Sequence, residues 1–176
     1  MAFVFDATLG GATANSYCTV EFADDYLAGE LYADEWTVLN NSVAADLLKK
    51  KQALVKATRR LERYEYKGHR SAYTGQRLKH PRYGLTTPEG FYYSANSIIE
   101  QMKMATAELA LYYLKQDPTA VVDESLRQFT HLRIAGAVEL EMRDQLPSDD
   151  RIPERVVNIF YEYILSGPGM TRLVRC

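Results

Sequence analysis

The stretch SVAADLLKKKQALVKATRRLERY, residues 42–64, reads as one long amphipathic helix. Ser42 is placed to cap its first turn, because a hydroxyl there accepts from a backbone N–H that has no partner inside the helix. Leu47, Leu54, Ala57, Thr58 and Leu61 recur at helical spacing and form the stripe expected to be buried. Lys49, Lys56, Arg59, Arg60 and Arg63 fall on the opposite side, so the positive charge is expected as a ridge along one face. Lys50 and Lys51 flank the stripe, with stems long enough to lie on apolar surface while the ammonium reaches water.

From Lys49 to Arg82 the chain holds twelve basic residues against two acidic ones, Glu62 and Glu65, a local net charge of +10 in a protein whose total is −2. Residues 1–48 carry eight acids and no Lys or Arg, and residues 83–176 carry nine bases and thirteen acids. Segregation on this scale bears on partners, because it sets a cationic surface beside anionic ones. The ridge suits phosphate contact, with Tyr64, Tyr66 or Tyr73 as stacking platforms. It equally suits pairing with the acidic segment, within a subunit or between subunits. A merely solvated helix face is the third reading.

Upstream, residues 1–16 are rich in Gly, Ala and Thr and read as an extended arm. A helix is expected after Thr19, with Val20, Ala23, Leu27 and Leu31 on its inner face and Glu21, Asp24 and Asp25 pointing outward. Asp34–Asn41 reads as a loop carrying the lone Trp36. Downstream, Tyr66 to Ser94 is punctuated by Gly and Pro and predicts an irregular, partly strand-like excursion.

A further helix is expected over about Asn96–Gln116, stopped by Asp117-Pro118. Ile98, Met102, Ala105, Leu109 and Tyr112 share one face, yet Ile99, Ala110, Leu111 and Leu114 make it apolar nearly all round, the mark of a buried helix. Between Leu126 and Met142, Val138, Leu140 and Met142 alternate with Glu139 and Glu141, which predicts a β-hairpin turning at Ala135-Gly136. Pro153 suits the first turn of a last helix with a Val156, Val157, Phe160, Ile164 stripe, stopped by Gly167-Pro168-Gly169. Residues 170–176 form a short cationic tail that alone could bury little.

The expected fold is therefore mainly α: a small bundle of about four helices, a β-hairpin insertion, and extended N- and C-terminal arms. One helical domain over residues 1–169 and a separate short tail over 170–176 are the expected divisions. The hydrophobic content of 47% is that of a globular chain, and no apolar run approaches the ~20 residues that span a bilayer. The first residues lack the pattern of a signal peptide, and Cys18 and Cys176 show no ligand-like spacing, so synthesis in a reducing cytoplasm is expected. Thirteen Tyr against one Trp favours surfaces that are apolar in body and wet at the rim, interfaces included, although a helical core edge accounts for them as well.

Nothing in the sequence points to catalysis. His69, His80 and His131 are isolated from one another and from Cys or carboxylates at ligand spacing, so no metal site is expected. No phosphate-binding loop, dinucleotide fingerprint or nucleophile elbow occurs, and no cofactor is expected.

Several places together resemble one family of tailed bacteriophages. They are Asn15-Ser16-Tyr17 with Ala23-Asp24-Asp25-Tyr26; Lys56-Ala57-Thr58, Leu61, Tyr66-Lys67-Gly68 and His80-Pro81-Arg82; the run Lys103 to Ala110; and the ending Arg172-Leu173-Val174-Arg175. The chain is similar, over most of its length, to the head–tail connector or adaptor proteins of phage necks, relatives of which are often labelled DnaT-like single-stranded-DNA-binding proteins. It departs from that pattern where Ser94-Ala95-Asn96-Ser97 replaces a common Pro, and in a longer hairpin region.

The resemblance implies a structural virion protein at the head–tail junction, assembled in the bacterial cytoplasm as a dodecameric ring below the portal. The ring would surround the DNA exit channel. Its partners would be the portal protein, further copies of itself, tail or nozzle proteins below and, transiently, genomic DNA, with no membrane. The tail residues Arg172, Leu173, Val174 and Arg175 would dock on the portal. The alternative is a single-stranded-DNA-binding replication protein using the ridge.

Overall fold

The computed structural model describes residues 3–72, 75–115, 131–134, 138–141 and 152–167. The chain divides into two compact units, Met1–Lys115 with Ile152–Cys176, and Gln116–Arg151. The first unit is mainly helical, and the second contains the expected hairpin: β4 (His131–Ile134) pairs antiparallel with β5 (Val138–Glu141), Leu132 opposite Leu140.

In the helical unit α1 is Val20–Ala28, α2 Asp34–Thr37, α3 Ala44–Leu61, α4 Glu100–Lys115 and α5 Glu154–Phe160. Helix α4 sits at the centre and packs against α1, α2, α3 and α5. Its all-round apolar sequence has this cause: Met102, Ala105, Ala107, Leu109, Ala110 and Leu111 are buried on several sides at once. The one acid buried in it, Glu108, is met from two neighbours. Arg155 of α5 lies 3.0 Å away, and the Tyr26 hydroxyl of α1 donates over 3.3 Å.

Helix α1 begins as expected, with the Thr19 hydroxyl accepting from the Phe22 N–H, and Val20, Ala23 and Leu27 are buried. Two expectations for it do not hold. It stops at Gly29, whose N–H turns back to the Tyr26 carbonyl, so Leu31 leaves the face and stands exposed. Asp24 does not point outward either. Its carboxylate accepts from the Trp36 indole N–H, the Lys50 ammonium and the Asn41 amide, at 2.7, 2.7 and 2.6 Å. That network explains why the supposed loop around Trp36 is instead the short helix α2 with its indole buried.

Helix α3 starts two residues later than Ser42. The Ser42 N–H donates to the Asn40 side chain, and Asn40 in turn donates to Asp46, so an Asx turn occupies the approach. Helix α4 likewise begins after a turn in which the Ser94 hydroxyl accepts from the Asn96 N–H. At the other end, Phe160 closes α5, Tyr161–Tyr163 is one 3-10 turn, and β6 (Ile164–Ser166) follows. Ile164 therefore lies on a strand rather than on the helical stripe. The strand exists because β1 (Glu65–Tyr66) offers an edge: Glu65 pairs with Ser166 and Tyr66 with Ile164.

Residues 3–16 have no helix or strand, yet they close upon themselves. The Asn15 and Ser16 N–H groups both donate to the Asp6 carbonyl, and the Asn15 side chain accepts from the Asp6 N–H. Arg77 holds the loop from outside by donating to the Gly11 and Thr13 carbonyls. The tail residues Arg172, Leu173, Val174 and Arg175 lie outside the described residues, as does the expected helix stop at Asp117-Pro118.

A candidate nucleic-acid interface

Helix α3 separates its basic residues by face. Lys49, Lys56 and Arg59 are exposed, and with Gln52 between them they follow the 3-4-3 spacing of a single helical stripe, on which Arg63 falls just past the helix end. From Lys49 to Arg59 this stripe is about 15 Å long at 1.5 Å per residue. Among the described residues neither Lys49 nor Arg59 is paired with an acid. The Lys56 ammonium lies 4.9 Å from the ring centre of Tyr113 on α4, which steadies it without cancelling its charge.

Arg60 departs from the expected ridge. It is 7% exposed, because one residue after Arg59 the helix has turned about 100° towards the core. Lys50 is also internal, bound to Asp24 and 5.2 Å from the Trp36 ring centre. Burial works to raise the Asp24 pKa, but the hydrogen bonds from Lys50, Asn41 and Trp36, with the Lys50 charge, outweigh it and hold the carboxyl below its ordinary value.

The excursion that follows consumes further cations. Gln76 braces it, accepting from the Ala72 N–H and donating to the Leu78 and Pro81 carbonyls around a cis His80–Pro81 bond. Arg82 donates to four carbonyls, those of Tyr66, Lys67, Gly68 and Lys79, and is a scaffold residue. Lys79 is held by the Tyr64 carbonyl and by Glu65. Lys67 and Arg70 remain exposed, so the cationic surface continues past Arg63 onto β2 (His69–Arg70) and its partner β3 (Arg82–Tyr83).

The expected stacking platforms are not where base stacking needs them. Tyr64 and Tyr66 are buried, Tyr66 with its hydroxyl donating to the Leu61 carbonyl, and Tyr73 lies outside the described residues. Among the described residues of this excursion the exposed Phe and Tyr rings are Tyr83, Phe91 and Tyr92. The Gly- and Pro-marked turn Thr87-Pro88-Glu89-Gly90 was the sequence signal for them, since it makes a hairpin tip with Thr87 N–H bonded to the Phe91 carbonyl.

His80 is buried between Tyr17 and Tyr66, ring centres 5.5 and 4.7 Å away, and burial lowers its pKa to about 3. Tyr17 reaches past it to donate to Glu62, which also accepts from the Lys79 N–H. No cluster of three His, Cys, Asp or Glu among the described residues could hold a metal, and no described helix is long and apolar enough to cross a membrane. Burial raises the Cys18 thiol to about 12, which disfavours the thiolate a nucleophile needs.

One comparison with known proteins matches. A family model described as "Putative DnaT-like ssDNA binding protein" covers residues 1–176. No curated protein and no solved structure matches the chain.

Proposed function

The chain belongs to the DnaT-like ssDNA-binding family, and from that premise we propose that it is a non-catalytic protein which holds single-stranded DNA by charge, without reading its sequence. The supporting observation is the exposed stripe Lys49, Lys56, Arg59 on a rigid helix, extended by Lys67 and Arg70. A flexible strand of regularly spaced phosphates satisfies such a stripe wherever it is placed along it, and counterion release drives the association. The test is a titration of fluorescent oligo(dT) across a salt series. Changing Lys49, Lys56 and Arg59 together to Ala is expected to lower the slope of log affinity against log salt by about 2, at roughly 0.7 per lost phosphate contact. Failure of the unaltered protein to bind at 50 mM salt, an arbitrary low-salt condition of roughly 14 Å screening length, overturns the reading.

A second reading, an adaptor ring below the portal of a tailed phage, is favoured by one specific observation. Leu31, Tyr32 and Val38 stand exposed among Glu30, Asp34 and Glu35, and Tyr32 is held in left-handed backbone (φ 63°) with its carbonyl accepting from Lys115. An acidic, apolar knob of this kind is complementary to the cationic stripe of another copy, and head-to-tail contacts close into rings. In this reading the partners are portal, sister copies, tail proteins and passing genomic DNA, and the place is the virion. Deleting residues 170–176 would then abolish co-sedimentation with portal while the helical unit stays folded. Retained co-sedimentation would defeat it.

A further inference from the structure

The β2–β3 ladder places aromatic and cationic groups side by side. His69 and Tyr83 are directly opposed across the two strands, with ring centres 5.3 Å apart and planes tilted by 31°. Both are exposed, Tyr83 at 49%. Arg70 lies opposite Arg82, and Lys67 is exposed one residue before the Gly68 turn. Glu65, an anion in this network, is held by Lys79, whose hydrogen bond lowers its pKa with help from the Lys79, Arg82 and Arg70 charges.

Beyond β3 the chain continues into the tight hairpin in which Thr86 faces Tyr92 and the Tyr93 N–H donates to the Leu85 carbonyl. Its outer strand shows Phe91 and Tyr92 at 72% and 80% exposure. Three large rings thus stand in water on this stretch, although burying each would remove apolar surface from solvent, and a cluster of exposed rings marks a binding surface. Glu89 in the hairpin turn is the one acid on this tip, and its carboxyl is held low by its own backbone N–H and Thr87.

We propose that the His69–Tyr83 ladder and the Phe91–Tyr92 hairpin tip are a stacking platform for unpaired bases, with Lys67 and Arg70 meeting the phosphates between them. The proposal rests on the single-stranded-DNA reading and adds to it a grip on bases where the α3 stripe grips only phosphates. It predicts that the protein distinguishes a strand with bases from one without, although not one base from another, because every base has a π face.

The experiment compares the affinity of the full chain for oligo(dT) and for an abasic oligonucleotide of equal length at one salt concentration. Stacking predicts tighter binding of the base-bearing strand by on the order of tenfold. Tyr83→Ala is expected to bring that ratio close to one and Tyr83→Phe to keep it. Phe91→Ala combined with Tyr92→Ala, at the solvent-exposed tip, is expected to reduce it even should Tyr83→Ala fail to fold. Equal binding of both strands by the unaltered protein, or a ratio untouched by the ring variants, overturns the platform while leaving charge-driven binding standing. Binding of neither strand overturns both.

Discussion

The Lys50 ammonium lies 2.7 Å from an Asp24 carboxylate oxygen and is 5% exposed, so a lysine from the middle of the basic run joins α3 to α1 instead of facing a ligand. The same carboxylate takes the Trp36 indole N–H and so ties in α2. Removing one member of such a pair strands the other in a poorly solvated place.

Lys50→Met is accordingly expected to destabilise the fold by about 2 kcal/mol, less than the 3–5 kcal/mol typical of fully buried pairs because Asp24 is partly solvated. Chemical denaturation checks it, and the Lys50→Met, Asp24→Asn double variant is expected to cost less than the sum of the two singles. Additive costs would show that the pair is not coupled.

His80 makes stability depend on pH in a window of its own. Its folded pKa is about 3 against an ordinary 6.5, so between those values the unfolded chain binds a proton that the folded one does not. Stability is then full above the unfolded pKa and falls as pH drops, by about 1.4 kcal/mol per pH unit. Denaturation midpoints between pH 6 and 4 are expected to decline steeply in the unaltered protein and less in His80→Leu. The depressed Asp24 carboxyl acts lower. Its contribution is present above its unfolded pKa, 3.8, and is lost only as pH falls through its lower folded value.

Gly68 takes φ +69°, and a Cβ there would stand 2.4 Å from the Tyr83 carbonyl oxygen. Gly68→Ala is expected to cost about 3 kcal/mol, combining left-handed strain with a backbone clash. The β2–β3 register is expected to be the part that yields. A melting temperature within a degree or so of the unaltered protein would show that the turn relaxes freely.

Arg59 and Arg60 are neighbours with opposite expected phenotypes. Arg59→Ala is expected to leave stability within about 0.5 kcal/mol and to lower the salt slope of DNA binding by roughly 0.7. Arg60→Ala is expected to destabilise by about 1–2 kcal/mol through its lost buried stem. Thermal melts and the salt titration, run on both variants, separate the two.

What the sequence determined by itself is what periodicity encodes. The amphipathic α3, the all-round apolar α4, the alternating β4–β5 pair and the run of positive charge were legible because each depends on residues within a few positions of one another. The tertiary structure decided which charges face water. Asp24, Lys50, Arg60, Lys79 and Arg82 read as surface groups, yet each is buried or bound by groups brought from elsewhere in the chain. It also decided which tyrosines are exposed: Tyr64 and Tyr66 turn inward because β1 finds its partner β6 about a hundred residues later, whereas Tyr83 sits on a ladder with an open face. Local spacing sets the direction of a side chain on its own element, and only packing between distant elements sets whether protein or solvent lies in that direction.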